Sequence, residues 1–239
     1  MTRAALIEEH AASAWPAVHS TRDEGWLLRH SPGVGKRRNN SALPVAGTPA
    51  IDTAEQYYRS RDLPVVVQIS PAEDHTALDE TLAGLGYRHD APTLVLTAPT
   101  ATVSGPAPEV EITGLTPDWR EAYGNAAVST HVLDRIERPA GFASITVDDR
   151  IAALGLFVVG DGLAGVFCMA TSPRYRRRGH AAAILRAGAA WSAAQGSDLL
   201  YLQVEEDNFP ARRLYEGVGF TFSHGYHYRV RDSWPEPVA

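Results

Sequence analysis

One order of parts occurs twice in this chain, and it limits the fold more than any other feature. "LPVVVQIS" (Leu63–Ser70) followed by "LDETLAGLGYRHDAPTLVL" has the same layout as "LLYLQVEE" (Leu199–Glu206) followed by "ARRLYEGVGFTFSHGYHYRV". An apolar run containing a glutamine comes first, then a short helical pattern. A corner of glycine, aliphatic, glycine and aromatic closes the helix (Gly84–Tyr87 and Gly217–Phe220), and another strand begins. Short apolar runs bounded by glycine corners are buried strands by pattern. A single repeat at about a domain's length points to a duplicated fold rather than a solenoid. The 239 residues have room for two small domains with a core in each.

Around these segments the pattern predicts an α/β chain, α+β in its mixed sheet. Residues 3–14 carry helical spacing, which Pro16 ends. Glu24–Ser31 and Asn39–Val45 are predicted strands around the turn segment "PGVGKRR", and Asp52 is placed to cap a following helix. Ala77–Gly86 is a short helix, and "APTLVLT" a strand. Ala98–Glu109 is rich in Pro, Thr, Ala and Gly without periodicity, which marks a linker. The division is therefore 1–97, a linker at 98–108, and 109–239. In the second part Thr116 and Pro117 open a helix, and a second short helix is expected over Ser129–Ile136. "FASITVDD" and "IAALGLFVVGDG" are strands, with a hairpin turn at Asp161–Leu163. "AGVFCMATS" and "DLLYLQVEE" follow as strands, "FPARRLYEGVG" as a helix, and "HGYHYRVR" as a strand closing the sheet.

Composition narrows the function. Hydrophobic residues at 44% and charged residues at 21% fit a soluble globular protein, and a net charge of −6 argues against a general nucleic-acid binder. One cysteine, Cys168, excludes an internal disulfide framework and a thiolate zinc cluster, and no metal site is expected. The first residues lack the apolar core of a signal peptide, and no run reaches membrane-spanning length, so a cytoplasmic protein with no membrane partner is expected.

Chemistry concentrates at "RYRRRGHAAAIL", Arg174–Leu185, directly after the strand "VFCMATSP". A helix start offers unpartnered N–H groups and the positive end of the helix dipole, and so takes a phosphate when the chain can approach closely. Gly179 permits that approach, and Arg176, Arg177 and Arg178 add charge. Arg176-Arg177-Arg178-Gly179-His180-Ala181 resembles the acetyl-CoA-binding signature of the GNAT N-acetyltransferases, Arg/Gln-x-x-Gly-x-Gly/Ala. Downstream, "NFPARRLYEGVGF" supplies Asn208, Ala211, Leu214, Tyr215, Gly219 and Phe220 in register with the family's second motif. The resemblance covers about Glu109–Val230.

The resemblance implies tandem GNAT-like folds and acetyl transfer from the cosubstrate acetyl-CoA to an amine by direct attack. It places the pyrophosphate on the N–H groups of Arg177–Ala181, with Arg176 and His180 in the same loop. The pantetheine arm pairs with the main chain of Cys168, Met169 and Ala170, where an N–H can also face a developing oxyanion. Tyr215 becomes the general acid for the leaving thiolate, and Asn208 caps its helix while contacting the cofactor arm. Residues 1–97 lack the arginine–glycine motif. His75 falls near the asparagine position and Leu82 at the tyrosine position, so this half is a degenerate GNAT-like domain, a scaffold or substrate wall. Its Trp26, Gly35, Asn40, Ser41 and Pro44 are similar to a segment of two-domain actinobacterial members.

Many relatives carry a glutamate on the strand before the loop; "GLAGVFCMATS" has none. The base is left open among Glu205, Glu206, His131, His224, His227 and a water chain. Cys168, inside an apolar strand, is core rather than a covalent nucleophile. The acceptor, a small-molecule or peptide amine, is expected between Trp119–His131 and Ser223–Tyr226, and the acidic net charge leans towards cationic acceptors. The chain is expected as a monomer or homodimer. The rival readings are a non-catalytic acyl-CoA-binding sensor or scaffold, and a polynucleotide contact through "RYRRRG" and "KRRNN".

Overall fold

In the computed structural model, which describes residues 2–232, the repeat is visible as strand pairing. The first half begins with α1 (Arg3–Ala14), where the Thr2 hydroxyl accepts the Ala5 N–H at 3.2 Å. β1 (His19–Asp23) and β2 (Trp26–His30) form a hairpin around Glu24 and Gly25. β3 (Ala42–Pro44), α2 (Ile51–Arg59), β4 (Val65–Ile69), α3 (Thr76–Gly84) and β5 (Arg88–Pro99) complete it. Ala50, not Asp52, occupies the cap position of α2; Asp52 lies in the first turn, where its charge suits the helix dipole. The segment expected as a linker starts with the end of β5 and a helical turn, α4 (Thr100–Val103), tied down by Thr100 Oγ1 donating to Ser197 O at 3.1 Å.

The second half contains β6 (Glu111–Thr113), α5 (Pro117–Tyr123), α6 (Ala126–His131), β7 (Ala140–Val147), β8 (Arg150–Gly160) and β9 (Leu163–Thr171). It ends with α7 (His180–Ala194), β10 (Leu199–Glu205), α8 (Phe209–Gly217) and β11 (Thr221–Arg231). Thr116 caps α5 as expected, accepting the Trp119 N–H at 3.2 Å. The helix expected over Ser129–Ile136 begins earlier, because Asn125 accepts the Val128 N–H at 3.0 Å; a 3-10 turn at Leu133–Arg135 takes up the rest.

All eleven strands form one sheet in the order β1-β2-β3-β4-β11-β5-β10-β9-β8-β7-β6. β1–β2 and β2–β3 are antiparallel and β3–β4 parallel; β7–β8 and β8–β9 are antiparallel and β9–β10 parallel. The two halves thus repeat one topology. Their last strands, however, are exchanged. β11 pairs with β4 of the first half, β5 pairs with β10 of the second, and the two exchanged strands pair with each other at the centre. β11 therefore does not close an edge, as the pattern suggested, but fills the middle.

Two cores cover the faces. On one, α1, α5 and α6 pack Ile7, Trp15, Trp119 and Val128 against Phe142, Leu156, Phe167 and Tyr201. On the other, α7 and α8 pack Ile184, Leu185 and Tyr215 against Phe157, Leu200 and Leu202. A Cβ at Gly188 would collide with the Phe157 ring, so this glycine is what lets α7 lie close on β8. A third core around Trp26, Tyr58, Val67 and Leu82 belongs to the first half alone.

Candidate active site

The site begins where two parallel strands separate. β9 and β10 pair from Leu163↔Leu199 to Val166↔Leu202. Beyond that, Gln203–Glu205 continue with β5, and the rest of β9 continues with β8. A bulge causes the parting. The β8–β9 register jumps between Leu156↔Phe167 and Leu154↔Ala170, and Cys168 takes a left-handed φ of 55°. An extra residue in one strand bends it away from its neighbour.

A cleft of about 440 Å³ opens at this point. Val166, Met169, Leu202 and Tyr215 line it from the α7/α8 face; Trp15, Tyr123, Phe167, Cys168, Tyr226 and Tyr228 line it from the other. The cleft therefore spans the sheet, and a ligand on each side would meet in the gap between the strands. Of the expected site residues, the cofactor-binding Cys168 and Met169 and the catalytic Tyr215 line the cleft together. Ala170, Arg176–Ala181 and Asn208 lie outside its lining, on the segments that lead away from it.

The loop after β9 leads into α7. Gly179 stands at the N-cap of α7 with φ 85°, and a Cβ there would meet nothing within 4 Å. Arg177 also has a positive φ, 60°. Left-handed residues set among others can turn successive N–H groups to one side, as anion nests do. Arg176, Arg177, Arg178 and Gly179 are exposed, and no acidic residue stands in the first turn of α7. Arg176 Nε donates to Thr171 O at 3.3 Å, holding the loop to the end of β9. His180 Nε2 is buried with no hydrogen-bond partner among the described residues, and Ala181 is partly buried. At the topologically equivalent place in the first half, after β3, the pocket lining holds Glu8, Glu9 and Asp74 instead of arginines, a poor cradle for a diphosphate.

Asn208 Oδ1 accepts the Ala211 N–H at 3.3 Å and caps α8. That helix carries Tyr215 to the cleft, where its ring meets Phe220 edge-on at 6.0 Å. Burial pushes the Tyr215 phenol up to about 12, so it holds its proton at neutral pH and can donate it. Burial also pushes the Cys168 thiol up to about 12, with Tyr123 and Arg38 opposing, which leaves it a poor nucleophile.

The candidate bases separate clearly. Glu205 lines the cleft, on the β10 face shared with Tyr201 and Gln203, whereas Glu206 lies outside with its N–H on Pro92 O. His224 is buried, with Nε2 2.9 Å from Glu8 Oε1 and Nδ1 3.1 Å from Ser223 Oγ. His227 is 2.6 Å from Asp79 and stacks on His89 at 4.3 Å. Neither lines the cleft, and nor does His131. Of the expected acceptor walls, Tyr123 and Tyr226 are in place, while Trp119 is core, its Nε1 donating to Ala143 O at 3.1 Å.

The first half also supplies a wall. Trp15 stacks on Phe167 at 5.3 Å beside the bulge, and Gly35–Arg38 line the cleft. Asn39 and Asn40 hold that loop. Asn39 Oδ1 accepts Trp15 Nε1 at 2.9 Å, and Asn40 Nδ2 donates to Val34 O at 2.6 Å and to Lys36 O at 3.0 Å. "PGVGKRRNN" was visible as glycine- and base-rich; what its pattern lacked was any sign of the strand it would face.

Strands parted by a bulge ahead of a cationic helix start define the class: this is the fold of the GNAT acyltransferases, and solved structures of that class align along nearly the whole chain. A GCN5-related N-acetyltransferase from Kribbella flavida aligns with a TM-score of 0.71 at 15% identity, over 98% of this chain and 97% of that one. A tandem GNAT protein from the clavulanic acid biosynthesis pathway gives 0.61 at 13% identity, over 97% and 89%. The chain belongs to the family described as "Probable histone acetyltransferase Rv0428c C-terminal", whose profile matches residues 3–229. It is 27% identical over 248 residues to the uncharacterized N-acetyltransferase YobR of Bacillus subtilis (strain 168), covering 94% of this chain and 97% of that protein. The protein is accordingly a GNAT-type acetyltransferase. Among the described residues no helix is long and apolar enough to cross a membrane, and no cluster of His, Cys, Asp and Glu could hold a metal ion.

Proposed function

We propose that the protein moves an acetyl group from acetyl-CoA to a primary amine by direct attack within the cleft. The observation that carries this reading is the gap between β9 and β10, lined by Tyr215 on one face and open to a second wall on the other. The nest at Arg176–Ala181 holds the pyrophosphate. The main chain of Cys168, Met169 and Ala170 pairs with the pantetheine arm as an added strand would, and Asn208 fixes the start of α8 beside it. The amine nitrogen bonds to the thioester carbon, the carbon–sulfur bond breaks, and Tyr215 gives its proton to the departing thiolate. Glu205, the carboxylate of the cleft, takes the amine proton through water.

In this reading residues 109–239 form the catalytic domain, 98–108 the connection, and 1–97 a degenerate GNAT-like domain that closes the acceptor side. Thermal melting with acetyl-CoA tests it. Saturating cosubstrate is expected to raise the melting temperature by linkage, and free thiol to appear when an amine acceptor is added. No shift and no calorimetric heat with coenzyme A would overturn it.

A further inference from the structure

Arg38 is an unusual arginine. Its guanidinium lies 5.8 Å from the centre of the Phe167 ring, and it lines the cleft together with Tyr226 and Tyr228. Although set deep among these rings, it keeps accessible surface, as a side chain facing a cavity does. Among the described residues, every other buried or partly buried arginine has a carboxylate or carbonyl partner. Arg29 donates to Ser41 O and Gln68, Arg120 to Asp134, Arg138 pairs with Asp161, Arg212 donates to Glu206 O, Arg229 to Asp79 and Arg231 to Glu55. Arg38 has no carboxylate within ion-pair distance among the described residues.

A guanidinium held in an aromatic pocket with its fork unmatched is poised for a planar oxyanion. Glu8, a buried carboxylate outside the cleft lining, offsets part of that charge without forming an ion pair with it. Arg37, at the same rim, is taken up by Asp90 at 2.7 Å; Lys36 adds a further positive charge; Glu205 is the only carboxylate among the cleft's described lining residues. The acceptor side thus presents one carboxylate and a partly buried cation, the complement of a zwitterion. This differs from the lean towards cationic acceptors that the acidic charge of the whole chain suggested.

We propose that the acceptor is a small amine bearing a carboxylate, of the amino-acid type, whose carboxylate is held by Arg38 while its amine is acetylated. This rests on the acetyl-transfer reading above and specifies its substrate class.

The test follows thiol release from acetyl-CoA with matched sets: α-, β- and γ-amino acids, their carboxamides, their decarboxylated amines and their aminophosphonate analogues. At least one amino acid is expected to exceed its carboxamide and its decarboxylated amine by tenfold or more in kcat/KM, chiefly through KM. In Arg38→Ala and Arg38→Gln that ratio is expected to fall towards one, and Arg38→Lys to keep part of it. Calorimetry with coenzyme A reports whether each variant is folded and holds its donor, and the comparison within the unaltered protein needs no variant at all. Absence of coenzyme A binding in the unaltered protein would defeat the acetyl-transfer reading itself. Donor binding and amine turnover without a carboxylate preference would overturn this inference alone. So would a preference for the phosphonates, or the failure of every amino acid to react with or stabilise the coenzyme A-loaded protein.

Discussion

Tyr215 is a phenol that its surroundings keep protonated, and that sets what its removal does. Taking away the hydroxyl leaves the ring against Phe220 and the cap at Asn208 intact. Tyr215→Phe is therefore expected to lower kcat by roughly 10²–10⁴, the usual range for a positioned acid, with little change in coenzyme A affinity. Stopped-time assays paired with calorimetry check both halves. Because burial lifts Tyr215 to about 12, its acid form persists throughout the neutral and mildly alkaline range. The pH–rate profile is then expected to rise as the acceptor amine loses its proton and to show no alkaline fall below about pH 10. At this scale part was legible: Gly179 at a helix start and Asn208 as a helix cap sit in local patterns, while Tyr215 was singled out by the family resemblance. Arg38, Trp15 and Tyr228 were not, because they reach the cleft from elements distant in the chain, and no local pattern announces a partner far along the sequence.

Among the elements, β11 shows how charge secures a strand far from its own half. Asp79 on α3 accepts Arg229 Nε at 2.6 Å and Nη2 at 3.0 Å, with His227 Nε2 also at 2.6 Å. The Arg229 hydrogen bonds lead in holding the Asp79 carboxyl down to about 2, with His227 adding to them and burial opposing. A carboxylate whose folded value lies below its unfolded value stabilises the protein above the unfolded value, and loses that contribution as pH falls towards the folded one. A depression from 3.8 to about 2 is worth about 2 kcal/mol at neutral pH. Asp79→Asn is expected to cost about that much at pH 7 and progressively less from pH 4 down to 2, which denaturant melts across the range would show. Elements with apolar alternation or glycine corners were readable from the chain. β1 was not, because all five of its residues are exposed and its pairing with β2 leaves no buried face to read. The bulge at Cys168 was hidden too, since nothing in "VFCMATS" distinguishes a bent strand from a straight one.

For the whole molecule, the duplication could be read but the exchange could not. Periodicity shows that a segment is a strand and which of its faces is buried; it carries no information on which neighbour completes its hydrogen bonds. The consequence is testable by dissection. Residues 109–239 expressed alone lack β5, the strand that lies between β11 and β10. The fragment is expected to be unfolded or aggregated, with two unpaired strand edges exposed. Co-expression with residues 1–103 is expected to recover a soluble complex and, in the full chain, calorimetry should record one cooperative transition rather than two.

The lending of terminal strands also bears on how such a chain can change over generations. The half without the arginine–glycine motif looks expendable by sequence, yet shedding it would strip the other half of a central strand, and the cleft of Trp15. Mutation can alter that half away from the cleft and the exchanged strand, but it cannot delete the half itself.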